Sequence, residues 1–282
     1  MKAIYSYKIL DRFWKERTSD FFKLAKTSVE YASKLYPTKL YTDSASKKVF
    51  DEHGVKFDEY FINDEIFEDV NEHTYGLSKF KIFLNEDSQY VQMDLDTVLL
   101  QAVNTKHAVT YGYREIDFRG AFYDSLENLK PNPEEKQIHM DYVEKYYWKY
   151  FMMMDKKFTD KKLIHFSNTY PSNSLMVVNN PSLIKEAAKN VLDLIEGDYR
   201  KYTVQFYEQY LLYALLKNYN AKIGFMYRKL PIIDLTKEYE LGSILSYKFL
   251  HLDNYDRDGN IMKLVDKLYD NLDTNSETKK FL

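Results

Sequence analysis

Residues 76–100 read GLSKFKIFLNEDSQYVQMDLDTVLL. Beyond Gly76 the apolar spacing predicts a helix that runs through Lys79, Ile82 and Phe83 and stops near Asn85, and Tyr90–Met93 then reads as a buried strand. That strand runs straight into Asp94 and Asp96 and is followed at once by another apolar run. Upstream, the same alternation repeats. Lys2–Tyr7 is a β-branched and aromatic run that predicts a first strand. Thr18, Ser19 and Asp20 offer N-caps for a helix carrying Phe21, Leu24, Ala25, Tyr31, Ala32 and Leu35, stopped by Pro37. Leu40–Thr42 predicts a second strand, Ser44 caps a helix ending at Gly54, and Val55–Phe61 alternates like a third strand. Strands and helices taking turns predict an α/β fold: a mixed, mainly parallel, Rossmann-like sheet flanked by helices, with ligands beyond the carboxyl ends of its strands.

The middle of the chain differs. Glu134–Asp155 is a helical segment in which Tyr142, Tyr146 and Tyr150 share one face and Val143, Tyr147 and Phe151 its neighbour, ending in Met152, Met153 and Met154. From Leu163 to Ile184 the run LIHFSNTYPSNSLMVVNNPSLI carries no formal charge, which predicts buried strands and an Asn-rich turn. Asn180 as N-cap and Pro181 at the first helical position start a helix expected to end at Gly197. A further helix carries Val204, Tyr207, Leu211, Leu212 and Leu215. No repeat or low-complexity linker marks a boundary, so residues 1–282 read as one domain with a helical, tyrosine-rich insertion at about 115–160. Tyr and Met stripes of this kind are core or interface, which makes that helix the expected surface for any homo-oligomer, while tyrosines are also natural platforms for sugars.

Composition narrows the function. In 282 residues, Lys+Arg 40 against Asp+Glu 43 gives a net charge of -3, not the basic footprint of a general nucleic-acid binder. The 8 glycines form neither GxGxxG nor GxxxxGK, so the usual dinucleotide fingerprint and the phosphate-binding loop are absent. With Cys 0 there are no disulfides, thiolate metal sites or Cys nucleophile, and chemistry must use oxygen and imidazole. No apolar stretch is long enough for a spanning helix, and the start, MKAIYSYKILDR, meets charge too early for a signal sequence, which predicts a soluble, cytoplasmic protein. Abundant Lys, Asn, Tyr, Phe and Ile with few Gly and Ala fit an AT-rich genome, as in a low-GC bacterium or its phage.

Asp94 and Asp96 are the strongest local feature. In an extended segment residues two apart point the same way, so both carboxylates would face one hard cation, Mn²⁺ or Mg²⁺, at the end of the strand. A second Asp-x-Asp, Asp256 and Asp258, lacks a buried strand before it. Its surroundings, Asn254 to Gly259, imitate the start of a calcium loop, but Val265 stands where that loop needs its bidentate Glu.

Asp94-Leu95-Asp96 resembles the DxD motif of GT-A glycosyltransferases, and Leu77-Ser78-Lys79 resembles the Leu-Thr-Lys element of the retaining glycogenin and lipopolysaccharide galactosyltransferase family. In order along the chain, SNSLMVVNNPS (172–182) is similar to that family's Asn-Ser-Gly-Val segment, and Glu208-Gln209-Tyr210-Leu211-Leu212 to its Asp-Gln-x-Leu-Leu. The resemblance spans residues 2 to about 255. It implies a metal-dependent enzyme that moves a hexose from a nucleotide-sugar, a UDP-sugar by this resemblance, to a glycan, protein or other hydroxyl acceptor, with retention. Asp94, Asp96 and His251 would hold the metal. Tyr5, Ser6, Thr42 and Asp43 would contact base and ribose. Lys79, with Asp94, would lie at the diphosphate or donor sugar, and Asn173, Glu208 and Gln209 would orient the sugar hydroxyls. The chain departs from the pattern in three places: Leu175 replaces Gly, which predicts a narrower donor pocket; Glu208 replaces Asp; and Gly-x-x-Lys is missing after His251, leaving Arg257 as the cation for the diphosphate.

Two other readings use the same residues. A non-catalytic relative would use its aromatic surface to bind glycan or protein, and a phosphohydrolase or nucleotidyltransferase would use the same carboxylates. No further acidic cluster in the first strand supports the latter.

Overall fold

The computed structural model describes residues 1–10, 19–71, 74–113, 171–195, 206–227, 244–252 and 260–278. The tyrosine-rich segment 115–160, the second Asp-x-Asp and Arg257 lie outside them.

The β-branched and aromatic runs form strands where the alternation predicts them: β1 (Lys2–Ser6), β2 (Thr38–Thr42), β3 (Glu59–Ile62) and β4 (Tyr90–Met93). Between them lie α1 (Ser19–Ser33), α2 (Ser44–Glu52) and, after a short 3₁₀ turn at Glu65–Phe67, α3 (Leu77–Asn85). The cap of α2 is Asp43, whose Oδ1 accepts from Ser46 N at 2.8 Å, and not Ser44. Gly54 closes the other end at φ +69, the left-handed conformation that a side chain would strain.

Four short strands escape the sequence reading: β5 (Thr97–Leu99), β6 (Val109–Tyr113) and, later, β8 (Ile223–Tyr227) and β9 (Phe249–His251). The uncharged run supplies β7 (Leu175–Val178), and Asn180 with Pro181 opens α4 (Pro181–Ile195), the Asn180 Oδ1 accepting from Leu183 N at 3.3 Å. Phe206–Leu211 is a π-helical segment that passes into α5 (Leu212–Asn218); β9 (Phe249–His251) and α6 (Asn260–Thr278) follow.

The main sheet has seven strands in the order β3-β2-β1-β4-β7-β6-β8. Only β7 runs against its neighbours, pairing antiparallel with β4 and β6, so the sheet is mixed and mainly parallel, flanked by helices as expected. Side chains alternate between its faces. Ile4, Tyr41, Tyr90, Met176 and Val178 pack under α3, α4 and α5, while Ala3, Tyr5, Val91, Met93 and Val177 pack under α1 and α2. A separate two-stranded sheet pairs β5 with β9, Thr97 opposite His251. It is backed by a smaller core in which Leu24 and Tyr31 of α1 meet Leu264, Val265 and Leu268 of α6. The Tyr31 hydroxyl donates to Leu268 O at 3.1 Å, fixing α6 on α1.

Gly112 is required where the small sheet meets the large one. A Cβ there would lie 2.7 Å from Phe249 Cζ and 3.3 Å from Leu175 Cβ, both side chains being fully buried. Gly112→Ala is therefore expected to cost about 1–3 kcal/mol, as overpacked cores do, read as a lowered midpoint in urea unfolding with an unchanged slope.

Candidate active site

The centre of the site is a lysine on a helix facing a strand's polar end. Tyr90, Gln92 and Asp94 share the face of β4 that meets α3, and α3 aims Lys79 at that point. Its ammonium donates to Asp94 Oδ2 at 2.9 Å, to Asn173 O at 3.3 Å and to Glu208 Oε1. Glu208 comes from the π-helical segment, whose wider turn carries Glu208 and Gln209 and is a common device at functional sites. Asn173 fastens that segment from the β7 side, its Nδ2 donating to Glu208 O at 2.6 Å. The helix that carries Lys79 thus meets three other segments at its ammonium, two of them far off in the chain.

Burial decides the electrostatics of this cluster. The Lys79 side chain is 13% exposed and that of Glu208 5%. Desolvation alone would pull the ammonium below its ordinary value, but the Asp94 and Glu208 carboxylates more than reverse this and hold it above. Lys79 is therefore a permanent cation at neutral pH, set between two carboxylates. Around it, the buried amide oxygens Gln92 Oε1, Asn173 Oδ1 and Gln209 Oε1 meet no hydrogen-bond donor among the described residues. A buried acceptor left so costs about 1–3 kcal/mol.

Asp94 and Asp96 do not share one cation in the way an extended strand would allow. β4 ends at Met93, and Thr97 N donates back to Asp94 O at 3.0 Å, so Asp94–Thr97 is a turn in which the two-residue period is lost. Asp94 goes to Lys79, with Gln92 Nε2 donating to its other oxygen at 3.2 Å. Asp96 goes the other way, its Oδ1 lying 3.6 Å from His251 Nε2. Among the described residues no three His, Asp or Glu side chains are grouped to hold a metal ion. The structure thus brings Asp96 and His251 together and places Asp94 on Lys79, so the three expected ligands are not grouped among the described residues. The pair of Asp96 and His251 does fit a cation. Its separation is too long for a hydrogen bond, yet short enough for both atoms to touch one ion with bonds of about 2.1 Å.

Tyr5, Ser6, Thr42 and Asp43 stand at the carboxyl ends of β1 and β2, but their side chains serve the scaffold. Tyr5 is fully buried, its hydroxyl 3.3 Å from both Ser28 O and Oγ, and burial pushes its pKa above that of an ordinary phenol. Thr42 Oγ1 donates to Tyr7 O at 2.6 Å, Asp43 caps α2, and Ser6 Oγ donates to Ser78 O at 2.5 Å, tying β1 to the start of α3. Tyr5 and Thr42 are fully buried, and their side chains are taken up by these scaffold contacts. Leu175 likewise packs in the core under α1 and α2 with Phe249, so its side chain does not narrow a pocket beside Lys79.

Two residues that the sequence reading passed over complete the site. Gln92 orients Asp94, and its one signal was a polar residue inside the buried run YVQM. Tyr113, at the end of β6, places its hydroxyl 2.9 Å from His251 Nδ1. No sequence signal connects two residues so far apart in the chain.

No family model and no curated protein matches the chain. Among solved structures it is similar to the glycosyltransferase GlyE of Streptococcus pneumoniae TIGR4, at 7% identity and TM-score 0.45, over 98% of this chain and 64% of that one. The chain thus spans slightly less than two thirds of GlyE's length. It is also similar to mouse xyloside xylosyltransferase 1, at 10% identity and TM-score 0.38, over 90% of this chain and 98% of that one. A third is the nucleoside-diphosphate-sugar pyrophosphorylase of Vibrio cholerae RC9, at 11% identity and TM-score 0.40, over 81% and 92%. At such identities and scores these likenesses add no weight to any assignment of activity.

Removing Lys79 leaves the buried Glu208 carboxylate beside the half-buried one of Asp94 with no cation between them. Lys79→Met is expected to cost about 3–5 kcal/mol at pH 7, as breaking a buried ion pair does. Because the folded state raises the Lys79 pKa, its contribution is complete below the ordinary value of 10.5 and is lost as pH rises beyond it. Urea unfolding across pH 7–12 should show wild type losing stability above that point more steeply than Lys79→Met.

Proposed function

We propose that the protein is a metal-dependent glycosyltransferase of GT-A fold that moves a hexose from a UDP-sugar to a hydroxyl acceptor. The observation that carries this reading is the convergence of Lys79, Asp94, Asn173 and Glu208 at the carboxyl end of β4. Each belongs to a separate motif of the resembled family. Nothing in any one motif requires the others to lie at hydrogen-bond distance.

In this reading the nucleotide-sugar lies across the ends of β1, β2 and β4, with backbone at Ser6 and Asp43 facing the base and ribose. Asp96 and His251 would hold a divalent ion, Mn²⁺ or Mg²⁺, whose remaining positions the diphosphate completes; such ions commonly use one or two protein side chains plus substrate oxygens. When bound, the ion supplies positive charge against the departing diphosphate. Arg257 would add a second cation there. Gln209 would orient the sugar hydroxyls, with Asn173 holding the Glu208–Gln209 turn in place through its bond to Glu208 O. Lys79, held as a cation between Glu208 and Asp94, fixes both carboxylates beside the sugar. The resemblance implies that the anomeric configuration is retained. The tyrosine-rich segment at about 115–160, absent from the core motifs, is the place for an acceptor or a second copy of the chain.

The assay is release of UDP from UDP-hexoses with Mn²⁺, with and without EDTA. Wild type is expected to show slow metal-dependent release of UDP, and Asp96→Asn to lower it at least about a hundredfold, the scale of losing one electrostatic stabiliser of the transition state. Phosphate or pyrophosphate as the product would instead make the protein a hydrolase or nucleotidyltransferase. Glycan binding indifferent to EDTA, with no UDP release, would make it a non-catalytic binder.

A further inference from the structure

Asp43 uses one oxygen of its carboxylate to cap α2 and keeps the other. Oδ1 accepts from Ser46 N at 2.8 Å, while Oδ2 lies 4.0 Å from the Lys8 ammonium and makes no hydrogen bond among the described residues. At that separation the two charges attract each other without a hydrogen bond between them. Lys8 also has capacity left, since an ammonium carries three donors and Lys8 Nζ donates to Phe67 O at 2.7 Å. Asp64, the other acid close to Lys8, is taken up by Ser44, whose N and Oγ donate to it at 2.6 and 2.9 Å. Neither Lys8 nor Asp43 is sealed from solvent, their side chains being 21% and 12% exposed.

The backbone fixes where both groups stand. Tyr7 N donates to Tyr41 O at 3.0 Å and Ile9 N to Ser46 Oγ at 2.8 Å, so the chain is pinned on either side of Lys8. Asp43 is pinned by its own cap. One anionic acceptor and one cationic donor therefore stand side by side beyond the carboxyl ends of β1 and β2, where the base lies in the proposed function.

Such a pair reads one pattern on a ring edge. A carboxylate oxygen accepts only from a donor, and an ammonium donates only to an acceptor. Uracil carries a ring N–H directly beside a carbonyl and fits both. Cytosine and adenine present a bare ring nitrogen at the corresponding edge, which would meet the carboxylate lone pair to lone pair. Guanine has the ring N–H and the carbonyl but adds an amino group that needs a second acceptor, and Asp43 Oδ1 is already committed to Ser46.

We propose that Lys8 and Asp43 set base specificity, Asp43 Oδ2 accepting from the ring N–H of uracil and Lys8 donating to the adjoining carbonyl oxygen. This rests on the nucleotide-sugar reading and adds to it the two side chains that choose the base. Lys8 belongs to none of the motifs that carry the family resemblance.

Calorimetric titration of the full chain with UDP and with CDP, each with Mn²⁺, isolates the base, because ribose and diphosphate are common to both. Wild type is expected to bind UDP about tenfold or more tighter than CDP, the scale of one hydrogen bond to a charged group. Asp43→Asn keeps the cap, its Oδ1 still accepting from Ser46 N, but sets an amide donor where Oδ2 stood. The preference for UDP over CDP should then shrink about tenfold or more, with the melting temperature unchanged. Lys8→Met should weaken UDP binding on the same scale. Equal affinities in wild type, a preference that survives Asp43→Asn, or a Lys8→Met chain that binds UDP as wild type does would overturn the assignment and leave the nucleotide-sugar reading standing. A wild type that binds neither nucleotide would overturn both.

Discussion

One buried ammonium constrains this molecule more than any other group. Lys79 could not be carried into the interior by α3 unless anions met it there, and once Asp94 and Glu208 are both present neither can be buried without Lys79. Three charges that would each oppose folding alone become a condition on where α3, the end of β4 and the π-helical segment lie relative to one another. The hydrogen bond from Asn173 adds β7's leading edge to the same requirement. The wider π-helical turn carries the residues this cluster uses, and its place there is consistent with a helix adjusted to bring Glu208 to a fixed point.

The site has two halves of different character. The Lys79 half is internally neutralised and tied together by charged hydrogen bonds. The Asp96 and His251 half is held by a three-residue ladder between β5 and β9, by the turn at Asp94–Thr97, and by the packing of α6 on α1. Ser28 of α1 reinforces the second half, its hydroxyl donating to Thr97 O at 2.5 Å. Helix α1 is thus shared between the main core and the small sheet, which explains why it buries residues on a wide arc that includes Phe22, Leu24, Ala25 and Tyr31.

The parallel half of the sheet was legible because each of its strands is a short apolar run separated by a capped helix, and Tyr90–Met93 agrees to the residue. The strands that went unread are short or lack a bounding turn: Thr97–Leu99 reads as a continuation of the strand before it, and Val109–Tyr113 alternates among aromatics that fit either state. In the site, the residue types of Lys79, Asp94, Asn173 and Glu208 could be picked out, whereas their mutual contacts could not, because hydrogen bonds across so much chain leave no spacing to read. The pairing of Asp94 with Asp96 failed for a local reason, a turn where an extended segment was expected. The burial of Tyr5 and Thr42 was hidden for a tertiary reason, since the sequence does not say which residues at a strand's end face the core.

The small sheet has a consequence for how the protein comes into being. Thr97 and His251 are joined by a ladder too short to offset the entropy of closing so long a loop by itself, so β9 settles only when α6 is there to pack behind it. The half of the candidate site that contains His251 therefore depends on chain that follows it, since the helix packed behind β9 begins only at Asn260.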